Sequence, residues 1–174
     1  MTNVVSKIEM MIDNVNILKE SITKTINDNI SHIITVTTEP GLGCDMTLHK
    51  ICTDNNWQPV DVGLLYDIPE ESNIYDEIFK TSIEKAKQDP DQKYVLFIDS
   101  ANLYKSTIAN AIFNMLFKLK DENAIPDNLI IFIEIINTTG LYDAILETLK
   151  NKNYIIYDYN KCFRSRKEME ETYE

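Results

Sequence analysis

Apolar residues three and four positions apart open the chain. Ile8, Met11, Val15, Leu18 and Ile22 fall on one face of a helix over residues 3–28, with polar residues between them. The spacing is heptad-like and permits a coiled-coil contact. Fewer than four heptads fit, so the expected state is an amphipathic helix packed on its own domain. Asn27–Ser31 then supplies short polar residues that favour a turn.

After residue 31 the period changes. Strands over 32–38, 59–63, 93–99, 128–136 and 153–158 alternate with helices over 45–55, 73–88, 106–120 and 141–150. Lys93–Asp99 (KYVLFID) and Asn128–Ile136 (NLIIFIEII) are dense apolar runs, as in strands buried on both faces. The alternation predicts an α/β fold with three layers: helices on both faces of a mainly parallel five-stranded sheet. The expected organisation is an N-terminal helix over 1–30, an α/β core over 31–160 and a charged tail over 161–174, frayed or a short surface helix.

One connection carries candidate chemistry. In Ile33–Thr47, IITVTTEPGLGCDMT, a β-type run meets a Pro-Gly-x-Gly turn and enters a helix. Backbone N–H groups and a helix N-terminus cradle phosphate in such a loop. Against the pattern G-x-x-x-x-G-K-[ST], Thr38 stands at the first Gly and Gly43 at the second. Cys44 replaces the Lys, and Asp45 replaces the Mg²⁺-binding hydroxyl. Ligands of parallel α/β sheets bind beyond the carboxyl ends of the strands. The Pro-Gly loop, Asp99 and Asn137 all fall at such ends and converge on one crevice.

Composition narrows the classes. The net charge of −11, from 28 acids against 17 bases, disfavours general nucleic-acid binding and is compatible with a basic protein partner. No apolar run reaches the length of a membrane span, and the N-terminus lacks a signal-peptide layout. Cys44, Cys52 and Cys162 are odd in number and widely spaced, which suggests reduced thiols in the cytoplasm. Cys44, His49 and Cys52 cluster near one helix but lack a further ligand at suitable spacing, so no metal site is expected. A nucleophilic Cys44–His49 pair lacks a third member, and Cys44 is read as a small space-filling residue. Trp57, Tyr66, Tyr75 and Tyr104 are read as core or partly buried aromatics rather than a recognition patch.

Over residues 30–160 the chain resembles the AAA+ ATPase core, especially the MoxR-like and McrB-like branches. TTEPGLGCDMT is similar to the Walker A segment, spanning Pro40, Gly41, Gly43, Cys44, Asp45 and Met46. AKQDPDQKYVLFIDSANLYKSTIANAIFNML resembles the stretch around Walker B, and IPDNLIIFIEIINTTG the sensor 1 strand. The resemblance implies a P-loop NTPase-like core in which Asp99 matches the Mg²⁺-holding Walker B Asp and Asn137 matches sensor 1. Ser100 occupies the position of the catalytic Glu. Leu149–Tyr154 offers Lys150 and Lys152 but no arginine, and the chain stops before the helical lid that usually follows the core.

Phosphoryl transfer depends on positioning and electrostatic stabilisation, so these losses argue for a catalytically inactive domain with no cofactor. Asp45 reads either as an internal substitute for the phosphate at a helix N-terminus or as an ordinary N-cap. The expected role is a protein-interaction or regulatory module that joins or blocks an AAA+ assembly, or self-associates. One alternative is an ATP- or GTP-binding protein with Mg²⁺ on Asp99 and weak or partner-dependent hydrolysis. Another is an acidic inhibitor or nucleic-acid mimic.

Overall fold

A computed structural model describes residues 2–60, 74–99, 106–136 and 140–163. Its elements are α1 (Thr2–Asn27), β1 (Ile33–Thr38), α2 (Cys44–Asn55), β2 (Gln58–Pro59), α3 (Ile74–Gln88), β3 (Tyr94–Ile98), α4 (Ser106–Asp121), β4 (Leu129–Ile136), α5 (Asp143–Asn151) and β5 (Ile155–Asp158). A 3-10 turn, Tyr159–Cys162, follows. The strands form one sheet in the order β2-β3-β4-β1-β5, and every pairing is parallel. The P-loop-like three-layer α/β fold expected from the alternation is the fold observed.

Burial on both faces explains why the strands read as continuous apolar runs. Ile33, Leu96, Ile98, Leu129, Ile131, Ile133 and Ile135 pack against α3, α4 and α5. Ile34, Val36, Val95, Ile130 and Phe132 pack against α1 and α2. Pro59 sits in an edge strand, where its missing N–H removes no ladder bond. Residues 61–63 of the expected second strand, and residues 164–174 of the tail, lie outside the described residues. Packing continues past residue 160, with Cys162 buried and Phe163 against the same cluster as α1 and α2.

Asparagine closes four helices. Asn29, Asn56, Asn123 and Asn153 have φ of 56°, 56°, 53° and 62°, each just beyond a helix end. In each case the next residue bonds five residues back: Ile30 N to Thr25 O, Trp57 N to Cys52 O, Ala124 N to Leu119 O, and Tyr154 N to Leu149 O. These are Schellman caps, whose left-handed residue is commonly Gly and sometimes Asn. The chain has 4 Gly, two of them in the loop after β1, and Asn carries this work instead.

Helix α1 behaves as two halves. Ile22 and Ile26 are fully buried, with Val15 and Leu18 packed beside them. Thr25 Oγ1 lies 3.0 Å from Tyr157 Oη, and Asn14 Nδ2 donates to Cys162 O at 3.3 Å. Before Asn14 the cover thins: Val5, Ile8 and Ile12 are 58%, 49% and 55% exposed, while Met10 and Met11 are half-buried. The expectation that the whole stripe is buried on the domain therefore holds for the second half only.

Two outcomes follow from this packing. Ile22→Ala costs about 2–5 kcal/mol in urea unfolding, because it opens a sealed cavity, whereas Ile8→Ala changes stability by less than about 0.5 kcal/mol. A comparable loss for both would place the exposed half inside the domain. Thr35 is fully buried on β1, and its hydroxyl has no hydrogen-bond partner among the described residues. Thr35→Val keeps the β-branched shape and raises stability by about 1 kcal/mol. Destabilisation would mean the hydroxyl is satisfied.

Candidate functional site

The crevice is built at the carboxyl ends of three adjacent strands, with β4 between β1 and β3. After β1 the chain turns sharply. Gly41 and Gly43 both have φ of 80°, and the space where a side chain would stand is open at each. Gly43 is the N-cap residue of α2 and supplies no side-chain cap. Two glycines in left-handed geometry thus turn an exposed loop directly into a helix. Leu42 is half-buried between them, while Pro40 and Met46 face solvent.

The loop is pinned from the neighbouring edge strand, β5. Asn160 Oδ1 accepts from Glu39 N at 2.8 Å, and Asp158 Oδ1 accepts from Asn160 N at 3.0 Å. Thr47 Oγ1 lies 2.7 Å from Tyr159 Oη and 3.2 Å from Gly43 O. The turn after β5 therefore holds both ends of the loop after β1. Sequence reading missed this brace, because nothing local to Asp158–Asn160 signals a partner 121 residues away in sequence.

Cys44 occupies the position expected for the cation. Its side chain is buried and hydrogen-bonds the carboxylate of Glu134. Burial, then the Glu134 charge, and further Asp45 and Cys162, push the thiol well above its ordinary range. The helix N-terminus does not activate it, and His49 is engaged elsewhere. His49 Nε2 lies 3.3 Å from Asp45 Oδ1, and its ring stacks on Phe97 at 4.2 Å between centroids. Burial alone raises Cys52 to about 12. Among the described residues no cluster of His, Cys, Asp and Glu could hold a metal ion.

Glu134 is the residue that sequence reading passed over. It is 9% exposed, on the α2-facing side of β4, in register with Val36 of β1. Burial raises its carboxyl above the ordinary range, and the charges of Asp45 and Asp99 raise it further. The Cys44 thiol opposes that shift by donating to it. A signal existed in the sequence: one acid in the apolar run LIIFIEII, at a position whose strand neighbours face α2.

The other expected site residues divide cleanly. Asp99 follows β3 half-buried, and its charge bears on Glu134 as that of Asp45 does. Asp45 lies in the first turn of α2 but is not its N-cap; that place belongs to Gly43, and the Asp45 side chain turns outward to His49. The N-cap reading of Asp45 is thereby corrected, for a left-handed glycine already ends the helix. Trp57 is buried, as read. Ser100 and Asn137, with Tyr66 and Tyr104, lie outside the described residues, as does the Tyr75 side chain.

No protein-family model and no curated protein matches the chain. Among solved structures it is similar to PCH-2 of C. elegans, with a TM-score of 0.52 and 17% identity over 87% of this chain. It spans 41% of that protein's length. Trip13 of Rhizobiales gives a TM-score of 0.47 at 12% identity, covering 86% of this chain and 57% of its own. The likeness to PCH-2 is one of fold.

Proposed function

We propose that this domain is a non-hydrolysing, AAA+-like interaction or regulatory module that joins or blocks an assembly of related subunits. The observation that carries the reading is the Cys44–Glu134 pair beneath the glycine turn. A phosphate-binding loop works by bringing a cation and free N–H groups to an anion. Here the cation's place holds a thiol, and the space behind it holds a carboxyl group.

The magnitudes decide against a nucleotide. Like charges about 4 Å apart, at an effective dielectric of about 20, repel by about 4 kcal/mol, or roughly a thousandfold in affinity. Asp45, Asp99 and Glu134 all bear on this region. The side chains present therefore do not fit a magnesium–triphosphate. With the Walker A Lys replaced and Ser100 in place of the Glu, the fold retains its shape without the groups that stabilise phosphoryl transfer. The domain's surfaces remain as its means of action, and among the described residues no helix is long and apolar enough to cross a membrane.

A restoration series tests the reading. Cys44→Lys with Asp45→Thr leaves Mg-ATP binding undetectable by calorimetry, because the introduced lysine pairs with Glu134. Adding Glu134→Gln frees that cation and brings the dissociation constant below about 1 mM, a gain of at least tenfold. Equal, tight binding by the double and triple variants would show that Glu134 does not govern the site. Turnover further requires Ser100→Glu, since water activation is a separate deficit.

Glu134 also sets a pH dependence. Its folded-state pKa is raised, so the fold binds the proton more tightly than the unfolded chain does. That contribution is fully present below the ordinary glutamate value and is lost as pH rises through the raised one. Glu134→Gln is therefore more stable than the wild type near pH 7.5, and the gap narrows as pH falls towards about 5. Thermal melts of both proteins across that range check this, and a gap that widens on acidification would refute it.

A further inference from the structure

One four-residue turn fastens α1 to the glycine loop. The 3-10 turn Tyr159–Cys162 leaves β5 at the end of the sheet where the loop begins, and its groups divide between the two. On the loop side, Asn160 Oδ1 accepts from Glu39 N at 2.8 Å, and Tyr159 Oη lies 2.7 Å from Thr47 Oγ1. On the helix side, Cys162 O accepts from Asn14 Nδ2 at 3.3 Å. Tyr157, just ahead of the turn, also reaches both ways. Its hydroxyl lies 3.0 Å from Thr25 Oγ1 and 3.2 Å from Ser21 Oγ on α1, and its carbonyl accepts from Thr37 Oγ1 of β1 at 3.4 Å.

The turn is too short and too closely held to yield on one side alone. Asp158 Oδ1 caps it by accepting from Asn160 N at 3.0 Å, and Phe163 N closes it on Asn160 O at 3.0 Å. With about three residues per turn, Tyr159 and Cys162 fall on one side of it. Both are buried in the cluster that holds Ile22 of α1 and Cys44 and Leu48 of α2. The Tyr159 ring meets the Phe163 ring edge-on at 5.2 Å between centroids. A shift of Cys162 therefore carries Tyr159 and Asn160 with it, because close-packed interiors transmit displacement.

The loop has little else to hold it. No residue from Glu39 to Gly43 is buried, and two of the five are glycines. Segments with few buried contacts open locally at low free energy, so bonds at the ends decide how firmly this one is held. The helix end of the turn is equally slender. Asn14 is the point on α1 where the domain's cover thins.

We infer that the turn is a conformational strap: the seating of α1 at Asn14 sets how firmly the glycine loop is held, and lifting α1 there loosens the loop. The strap acts whether or not the loop meets a ligand, so it is independent of the nucleotide reading. Coupling of this kind is reciprocal, and a contact that stiffens the loop also seats α1.

Amide hydrogen exchange of the full chain, followed by NMR, tests this. Asn160→Ala removes the acceptor and is expected to speed exchange at Glu39 by about fivefold, the order of one hydrogen bond. Asn14→Asp keeps the side-chain shape but sets a carboxylate oxygen against Cys162 O. It is expected to speed exchange at Glu39 and Thr47 by about twofold or more, although no bond joins residue 14 to either. Ile17→Ala, at a position of the same helix that is 63% exposed, is expected to change neither. With Asn160→Ala in place, adding Asn14→Asp is expected to do nothing further at Glu39, since both break one chain of contacts. The amides of Ile131 and Ile133 in β4 report opening of the whole fold. An Asn14→Asp chain with unchanged Glu39 exchange, or with acceleration at Glu39 no larger than in β4, would overturn the inference. So would a further gain at Glu39 on top of Asn160→Ala, or an Asn160→Ala chain whose Glu39 exchanges as before.

Discussion

Strand β4 is sealed on both faces, and that constraint governs the rest of the molecule. It pairs with β1 on one side and β3 on the other, and seven of its eight residues are buried. Any polar group on it must find its partners within the fold. Glu134 is the one charged residue in the strand, and it finds the thiol at the start of α2. The burial that builds the sheet thus also fixes the chemistry of the crevice. A loop with the outline of a phosphate cradle has a carboxyl group behind it.

Much of the fold was legible because buried parallel strands write themselves as uninterrupted apolar runs. KYVLFID and NLIIFIEII gave β3 and β4 to within a residue or two, and the intervening helices followed from their one-sided stripes. The glycine turn was legible too, since only Gly41 and Gly43 accept its left-handed backbone cheaply. The four Asn caps were not read. Asn is common here and favours many turns, so its left-handed role shows only when the helix ends are in view.

The candidate site was half legible. Substitution at Cys44 and Asp45 could be read from spacing alone, and the charge of Asp99 does bear on Glu134. The partner of Cys44 could not, because a lone acid in an apolar strand has no local sign of which group it meets. The orientation of Asp45 was likewise a tertiary matter, decided by His49 and Phe97. For α1 the periodicity was plain, but it could not say where the domain stops covering the stripe. That boundary depends on Cys162 and Tyr157, well over a hundred residues away.

The central claim is that a carboxyl–thiol pair stands where a phosphate-binding loop would hold its cation. Backbone amide NMR shifts of Gly41, Gly43 and Cys44 during titration with Mg-ATP test it most directly. These amides are the ones a bound phosphate must touch. The account predicts that they do not move in a saturable way, even at millimolar nucleotide. Saturable shifts of all three in the micromolar range would contradict it.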